Sequence, residues 1–132
     1  MPEPEEVVTV YVDAKIVGAH DRSLPRASYV GYFVEGSGEH AEQEVDADES
    51  DDAEVLAILF AIGRLKSRFE KMRIVCDHQS VVSEANRESV RRPSQLLTRL
   101  REEIRGSPSV ELTALQHNLA HGSLTEFVNR QT

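Results

Sequence analysis

A chain of 132 residues that is 39% hydrophobic and carries a net charge of −8 holds enough apolar material for one domain with its own core. That composition excludes a disordered polar chain, and the single cysteine excludes an internal disulfide framework. No apolar run approaches the roughly 20 residues that cross a bilayer, so no membrane association is expected.

A lone thiol fits a reducing compartment, and a cytoplasmic location is expected. Residues 1–132 read as a single domain, in which the acidic, proline-containing start, unlike a targeting leader, frays in solvent over residues 1–5. Val7-Val8-Thr9-Val10-Tyr11-Val12 is rich in β-branched residues and, closed by Asp13, predicts a strand over 6–13. Residues 14–27, with Gly18, Asp21, Ser23 and Pro25, read as a long connection. A second strand is predicted over 28–34, then a tight Gly36-Ser37-Gly38 turn, then an antiparallel return over 39–45. The charges on that third strand suit a sheet edge.

The acidic loop 46–52 offers Ser50, Asp51 and Asp52 as helix caps. A helix over 53–70 carries Leu56, Leu59, Phe60, Ile62 and Leu65 on an apolar surface broad enough to meet a sheet and another helix. Met72-Arg73-Ile74-Val75-Cys76, closed by Asp77, has the continuous apolar character of a central strand. A helix starts near Ser80 and runs toward Arg91, where Pro93 breaks it. Ser94 caps the next one over 95–105, and Gly106 and Pro108 end it. Residues 110–115 alternate as a last strand, and 119–129 form a final helix.

The order β-β-β-α-β-α-α-β-α predicts an α/β fold: a five-stranded mixed sheet ordered 3-2-1-4-5 with helices on both faces. Asp13 and Asp77 then leave the sheet at the carboxyl ends of adjacent parallel strands, where such sheets collect ligands. Glu54, at the head of a helix packed across them, is placed to join them. Oxygen donors grouped in this way suit the hard cations Mg²⁺ and Mn²⁺, and such cations serve phosphodiester hydrolysis. Taken singly, each acid has a plainer role in ending a strand or facing a helix N-terminus.

Charge is unevenly spread. Residues 35–54 hold ten acids and no Lys or Arg, whereas residues 87–105 hold six arginines against three glutamates. Net acidity therefore leaves room for a local basic surface that meets phosphates; the plain alternative is a solvated, internally paired helix face.

With order and acids in place, the chain resembles the ribonuclease H family over residues 7–128. Val10-Tyr11-Val12-Asp13 looks like that family's first strand and its aspartate. Ser50-Asp51-Asp52-Ala53-Glu54-Val55-Leu56-Ala57 looks like its small polar run followed by Ala-Glu. Ile74-Val75-Cys76-Asp77-His78-Gln79-Ser80-Val81-Val82 looks like its second aspartate, a small residue, a polar residue and an apolar pair. The resemblance implies a metal-dependent endonuclease that hydrolyses the RNA strand of RNA–DNA hybrids, leaving 5′-phosphate and 3′-hydroxyl ends. It implies Asp13, Glu54 and Asp77 as ligands of Mg²⁺ or Mn²⁺, and Arg87, Arg91, Arg92, Arg99 and Arg101 as a basic surface for the hybrid or another nucleic acid.

The departures are specific. Ala14-Lys15 follows Asp13 where the family has Gly-Ser, and Asp51 and Asp52 stand where asparagines are common. The Gln116-His117-Asn118-Leu119-Ala120-His121 segment puts His121 at the position of the family's fourth acid. Metal ligation, proton exchange and an ordinary place in a helical first turn all stay open for His121. A second expectation therefore stands beside the first: a domain of this fold with weakened chemistry that binds nucleic acid or another protein. His78 and His117 are expected at the surface, and Cys76 as a small core residue. The sequence leaves the oligomeric state open.

Overall fold

Alternation along the first strand sends Val10 and Val12 to one face of the sheet and Tyr11 and Asp13 to the other, all four of them buried. In the computed structural model, which describes residues 7–17, 27–47, 49–87, 94–116 and 118–131, this strand is β1 (Val7–Val17). It is followed by β2 (Ala27–Val34), β3 (His40–Val45), α1 (Ser50–Leu65), β4 (Lys71–Cys76), α2 (Gln79–Asn86), α3 (Gln95–Arg105), β5 (Val110–Ala114) and α4 (Ala120–Gln131). The strands form one sheet in the order β3-β2-β1-β4-β5, as expected. β1 pairs antiparallel with β2 and parallel with β4, and β4 pairs parallel with β5.

The α1, α2 and α3 helices share one side with the main core, where Val12, Val30, Ile58, Ile74 and Leu100 are fully enclosed. On the other side α4 packs against β1, β2 and β3, setting Ala120 beside Tyr11 and Val75, and Leu124 and Val128 beside Tyr29. No helix of the described residues is long and apolar enough to cross a membrane.

Several boundaries differ from expectation, each for a reason beyond local sequence. Asp13 does not close β1: the strand continues to Val17 because β2 extends alongside it, pairing Asp13 with Gly31 and Val17 with Ala27. The α1 N-cap is Glu49, whose carbonyl accepts from Ala53 N–H, so Ser50, Asp51 and Asp52 lie within the first turn instead of capping it, and the two aspartates favour its dipole. α1 ends at Leu65, not at 70. Arg68 is held by a two-pronged contact to Glu39 at 2.6 and 2.7 Å, and Phe69 turns back onto the core.

The buried side of α1 is Val55, Ile58, Ile62 and Leu65 with Ala53, Ala57 and Ala61, whereas Leu56, Leu59 and Phe60 are only partly buried at its margin. Alanines at every fourth position let the helix approach the sheet closely. Ser94 caps α3 as expected, accepting from Leu97 N–H at 3.1 Å. α2 ends at Asn86 and does not run on toward Arg91 as expected, because Arg87 is already in an extended conformation; residues 88–93 lie outside the described residues.

Candidate active site

The parallel register fixes the site's location. Val12 faces Cys76 in the last rung between β1 and β4, so the next residues, Asp13 and Asp77, leave that rung at the same edge. Glu54 comes to this edge from the first turns of α1. Asp13 and Glu54 are only 5% and 7% exposed, whereas Asp77 is exposed.

Candidate donor atoms of Glu54, Cys76 and Asp77 lie within 4.8 Å of one another. Asp13 stands outside this close group but is electrostatically coupled to both other acids. One of its oxygens, Oδ2, is engaged by His121 Nδ1 at 3.0 Å. The three acids thus share one edge, and Asp13 is offset toward α4.

Burial, reinforced by the charges of Asp13 and Asp77, pushes the Glu54 carboxyl up to about 8. Burial also raises Asp13; the hydrogen bond from His121 opposes that rise and Asp77 adds to it. The Cys76 thiol is pushed far up by burial and then by the charge of Glu54. It is therefore protonated and donates to Glu54 Oε2 at 3.4 Å. Among the described residues no Lys or Arg pairs with Asp13, Glu54 or Asp77. Carboxylate oxygens gathered at one edge, those of Asp13 and Glu54 buried and that of Asp77 open to solvent, with no Lys or Arg paired to them, match what a hard divalent ion binds.

Supporting contacts complete the edge. Asn118 Nδ2 donates to the Val12 carbonyl at 2.7 Å while its Oδ1 accepts from Ala120 N–H at 2.9 Å. One side chain thereby caps α4 and ties it to β1 beside Asp13. His121 projects from the first turn of α4 with its ring 71% exposed. His78 Nε2 lies 2.9 Å from Asp51 Oδ1, and its Nδ1 lies 3.1 Å from Ser80 Oγ. An open cleft of about 210 Å³, lined by Asp77, Gln79, Ala114, Leu115 and Gln116, adjoins Asp77 between the ends of β4 and β5.

The arginines divide. Arg87 and Arg99 are exposed, and Arg101 donates through Nη2 to the Arg87 carbonyl at 2.8 Å, bracing α3 against the end of α2. Arg91, Arg92 and His117 lie outside the described residues. Sequence reasoning missed the reach of Cys76 to Glu54, the bridge made by Asn118 and the contact between His78 and Asp51. A signal existed for the first: Met72, Ile74 and Cys76 share the strand face that α1 covers. The Asn118 bridge had one in an Asx residue two positions before a helix.

No protein-family model matches the chain, and no curated protein matches it in sequence. Solved structures do. RNase H1 from the halophilic archaeon Halobacterium salinarum superposes with a TM-score of 0.72 at 18% identity, covering 95% of this chain and 99% of that one. LC11-RNase H1, isolated from compost by a metagenomic approach, gives 0.73 at 13% identity over 94% of this chain and 96% of its own. The same LC11-RNase H1 in complex with an RNA/DNA hybrid gives 0.69 at 13% identity, covering 94% and 98%. At these identities the likeness establishes a shared fold, that of ribonuclease H.

Proposed function

We propose that this chain is a metal-dependent endonuclease of ribonuclease H type that hydrolyses the RNA strand of RNA–DNA hybrids. The observation that carries the reading is that Glu54 and Asp77 bring donor atoms within 4.8 Å of each other, with the charge of Asp13 acting on both, just past the last parallel rung of β1 and β4. This edge belongs to a fold that LC11-RNase H1 uses in a complex with an RNA/DNA hybrid.

In this reading Asp13, Glu54 and Asp77 hold Mg²⁺ or Mn²⁺, which supplies polarisation of water and neutralisation of charge on the leaving oxygen. The protein's own residues do the rest. Cys76 and the surrounding core fix the Glu54 carboxyl, and His121 fixes that of Asp13. The exposed His121 ring stands between solvent and Asp13. Arg87 and Arg99 offer exposed guanidinium groups to phosphates. Arg91 and Arg92 add two more arginines to the same stretch of sequence, and Arg101 acts mainly by holding the Arg87 backbone.

The test is cleavage of a labelled RNA–DNA hybrid beside single-stranded RNA, duplex RNA and duplex DNA, with Mg²⁺, with Mn²⁺ and with chelator. The expected result is hybrid-selective, divalent-dependent cleavage that Asp77→Asn abolishes while circular dichroism stays unchanged.

One observation favours a second reading. A histidine bonded to Asp13 occupies the start of α4 where the resemblance calls for an acid, which removes a negative charge from the cation site. That favours a nucleic-acid-binding or protein-interaction domain with weakened chemistry. Hybrid binding without cleavage by the folded protein selects it.

A further inference from the structure

The residues on either side of Asp77 both reach α1. On one side, Cys76 Sγ donates inward to Glu54 Oε2 at 3.4 Å. On the other, His78 Nε2 meets Asp51 Oδ1 at 2.9 Å nearer the surface. Asp51 lies three residues before Glu54, one turn away on the same helix side. Two rungs therefore join the β4–α2 turn to the first turns of α1, and Asp77 sits between them in the chain. His78 Nδ1, facing Ser80 Oγ at 3.1 Å, fixes the ring from its second nitrogen. A neutral ring with the proton on Nε2 satisfies both contacts, donating to Asp51 and accepting from the Ser80 hydroxyl.

The geometry points to His78 as a positioning residue: its bridge to Asp51 sets the separation between Glu54 and Asp77, and so the affinity of this edge for a divalent cation. The inference deepens the nuclease reading and rests on it for the identity of the ligands. His78 touches none of the proposed ligands through its side chain; it acts on the two elements that present them. A single side-chain contact this near the surface contributes little to global stability. Groups that orient metal ligands, by contrast, typically change affinity or activity by about 10- to 100-fold when removed.

The experiment titrates Mn²⁺ alone into the full chain by calorimetry and follows hybrid cleavage against Mg²⁺ concentration in parallel. The proteins are the parent, His78→Ala, His78→Gln, Asp51→Asn and the His78→Ala/Asp51→Asn double variant. His78→Ala is expected to weaken Mn²⁺ binding about tenfold without changing the metal-free melting temperature. His78→Gln, whose amide nitrogen replaces the Nε2 donor, is expected to restore most of the affinity. Asp51→Asn alters the local field by itself, so the decisive quantity is coupling: the double variant should bind no more weakly than the weaker single variant.

Parent-like Mn²⁺ affinity in His78→Ala, or strictly additive losses in the double variant, overturns the inference. So does loss of affinity that His78→Gln leaves unrestored. A parent chain that binds no divalent cation overturns both this inference and the nuclease reading. Coupled Mn²⁺ binding in a chain that does not cleave hybrid supports the role of His78 and removes only the nuclease reading.

Discussion

Glu54→Gln separates what the acidic edge does for the fold from what it does for a cation. The Glu54 carboxyl is raised from its ordinary 4.5 to about 8, first by burial and then by Asp13 and Asp77. Because the folded value exceeds the unfolded one, the associated stability is complete below pH 4.5 and disappears as pH rises through about 8. At about 1.4 kcal/mol per tenfold change in proton affinity, full ionisation would cost the metal-free fold about 5 kcal/mol; local relaxation and water reduce this to about 1–3 kcal/mol. Gln keeps the shape and an acceptor for the Cys76 thiol but carries no charge.

In chelator at pH 8, Glu54→Gln should therefore be more stable than the parent by about 1–3 kcal/mol, roughly 4–12 °C in melting temperature, and the two should converge toward pH 5. Saturating Mn²⁺ should reverse the ranking, adding about 4.1 kcal/mol to the parent at a thousandfold excess over Kd and little to the variant. Urea denaturation at pH 5, 6.5 and 8, with chelator and with Mn²⁺, measures both effects. A variant that is less stable than the parent at pH 8 in chelator, or that keeps the parent's pH slope, would refute the reasoning.

His121→Asp should tighten Mg²⁺ binding and raise Mg²⁺-supported cleavage, because it adds a hard anionic donor beside Asp13; calorimetry and initial rates check it. Arg87→Ala combined with Arg99→Ala should weaken hybrid binding and flatten log K against log salt by about 0.9 for each phosphate that is no longer neutralised, measured by fluorescence anisotropy across salt concentrations. Leu100→Ala should cost about 2–5 kcal/mol in urea denaturation, since Leu100 is fully buried in the core on the α1 side of the sheet. Gly31→Ala should destabilise by about 1–3 kcal/mol, because a Cβ there meets Glu42 Cγ at 3.2 Å, the Ala41 carbonyl at 3.3 Å and Leu124 Cδ1 at 3.4 Å.

The strand order and the shared edge of Asp13 and Asp77 were legible because they follow from alternation, crossover handedness and two short apolar runs ending in aspartate. What stayed hidden depends on distant partners. β1 reaches Val17 only because β2 runs beside it, and α1 stops at Leu65 with Arg68 fixed to Glu39, 29 residues away. His121 meets Asp13 across 108 residues, so the sequence could place it near the site but could not choose among its roles. Leu56, Leu59 and Phe60 outrank alanine in hydrophobicity, yet Ala53, Ala57 and Ala61 are fully buried. Small side chains suit close packing of a helix on its neighbours, and periodicity alone does not encode that choice.

The helices are shared unequally between the two sides of the sheet. Three cover one side, and α4 covers the other through small clusters around Ala120, Leu124 and Val128. α1 packs against β1, β2, β4, α2 and α3, whereas α4 packs against β1, β2 and β3, and of two elements the one with fewer packed neighbours opens more readily in native-state fluctuations. Amide protons of α4 should accordingly exchange with deuterium sooner than those of α1 or β4. An opening of α4 would take His121 away from Asp13 and leave the acidic edge with one partner fewer.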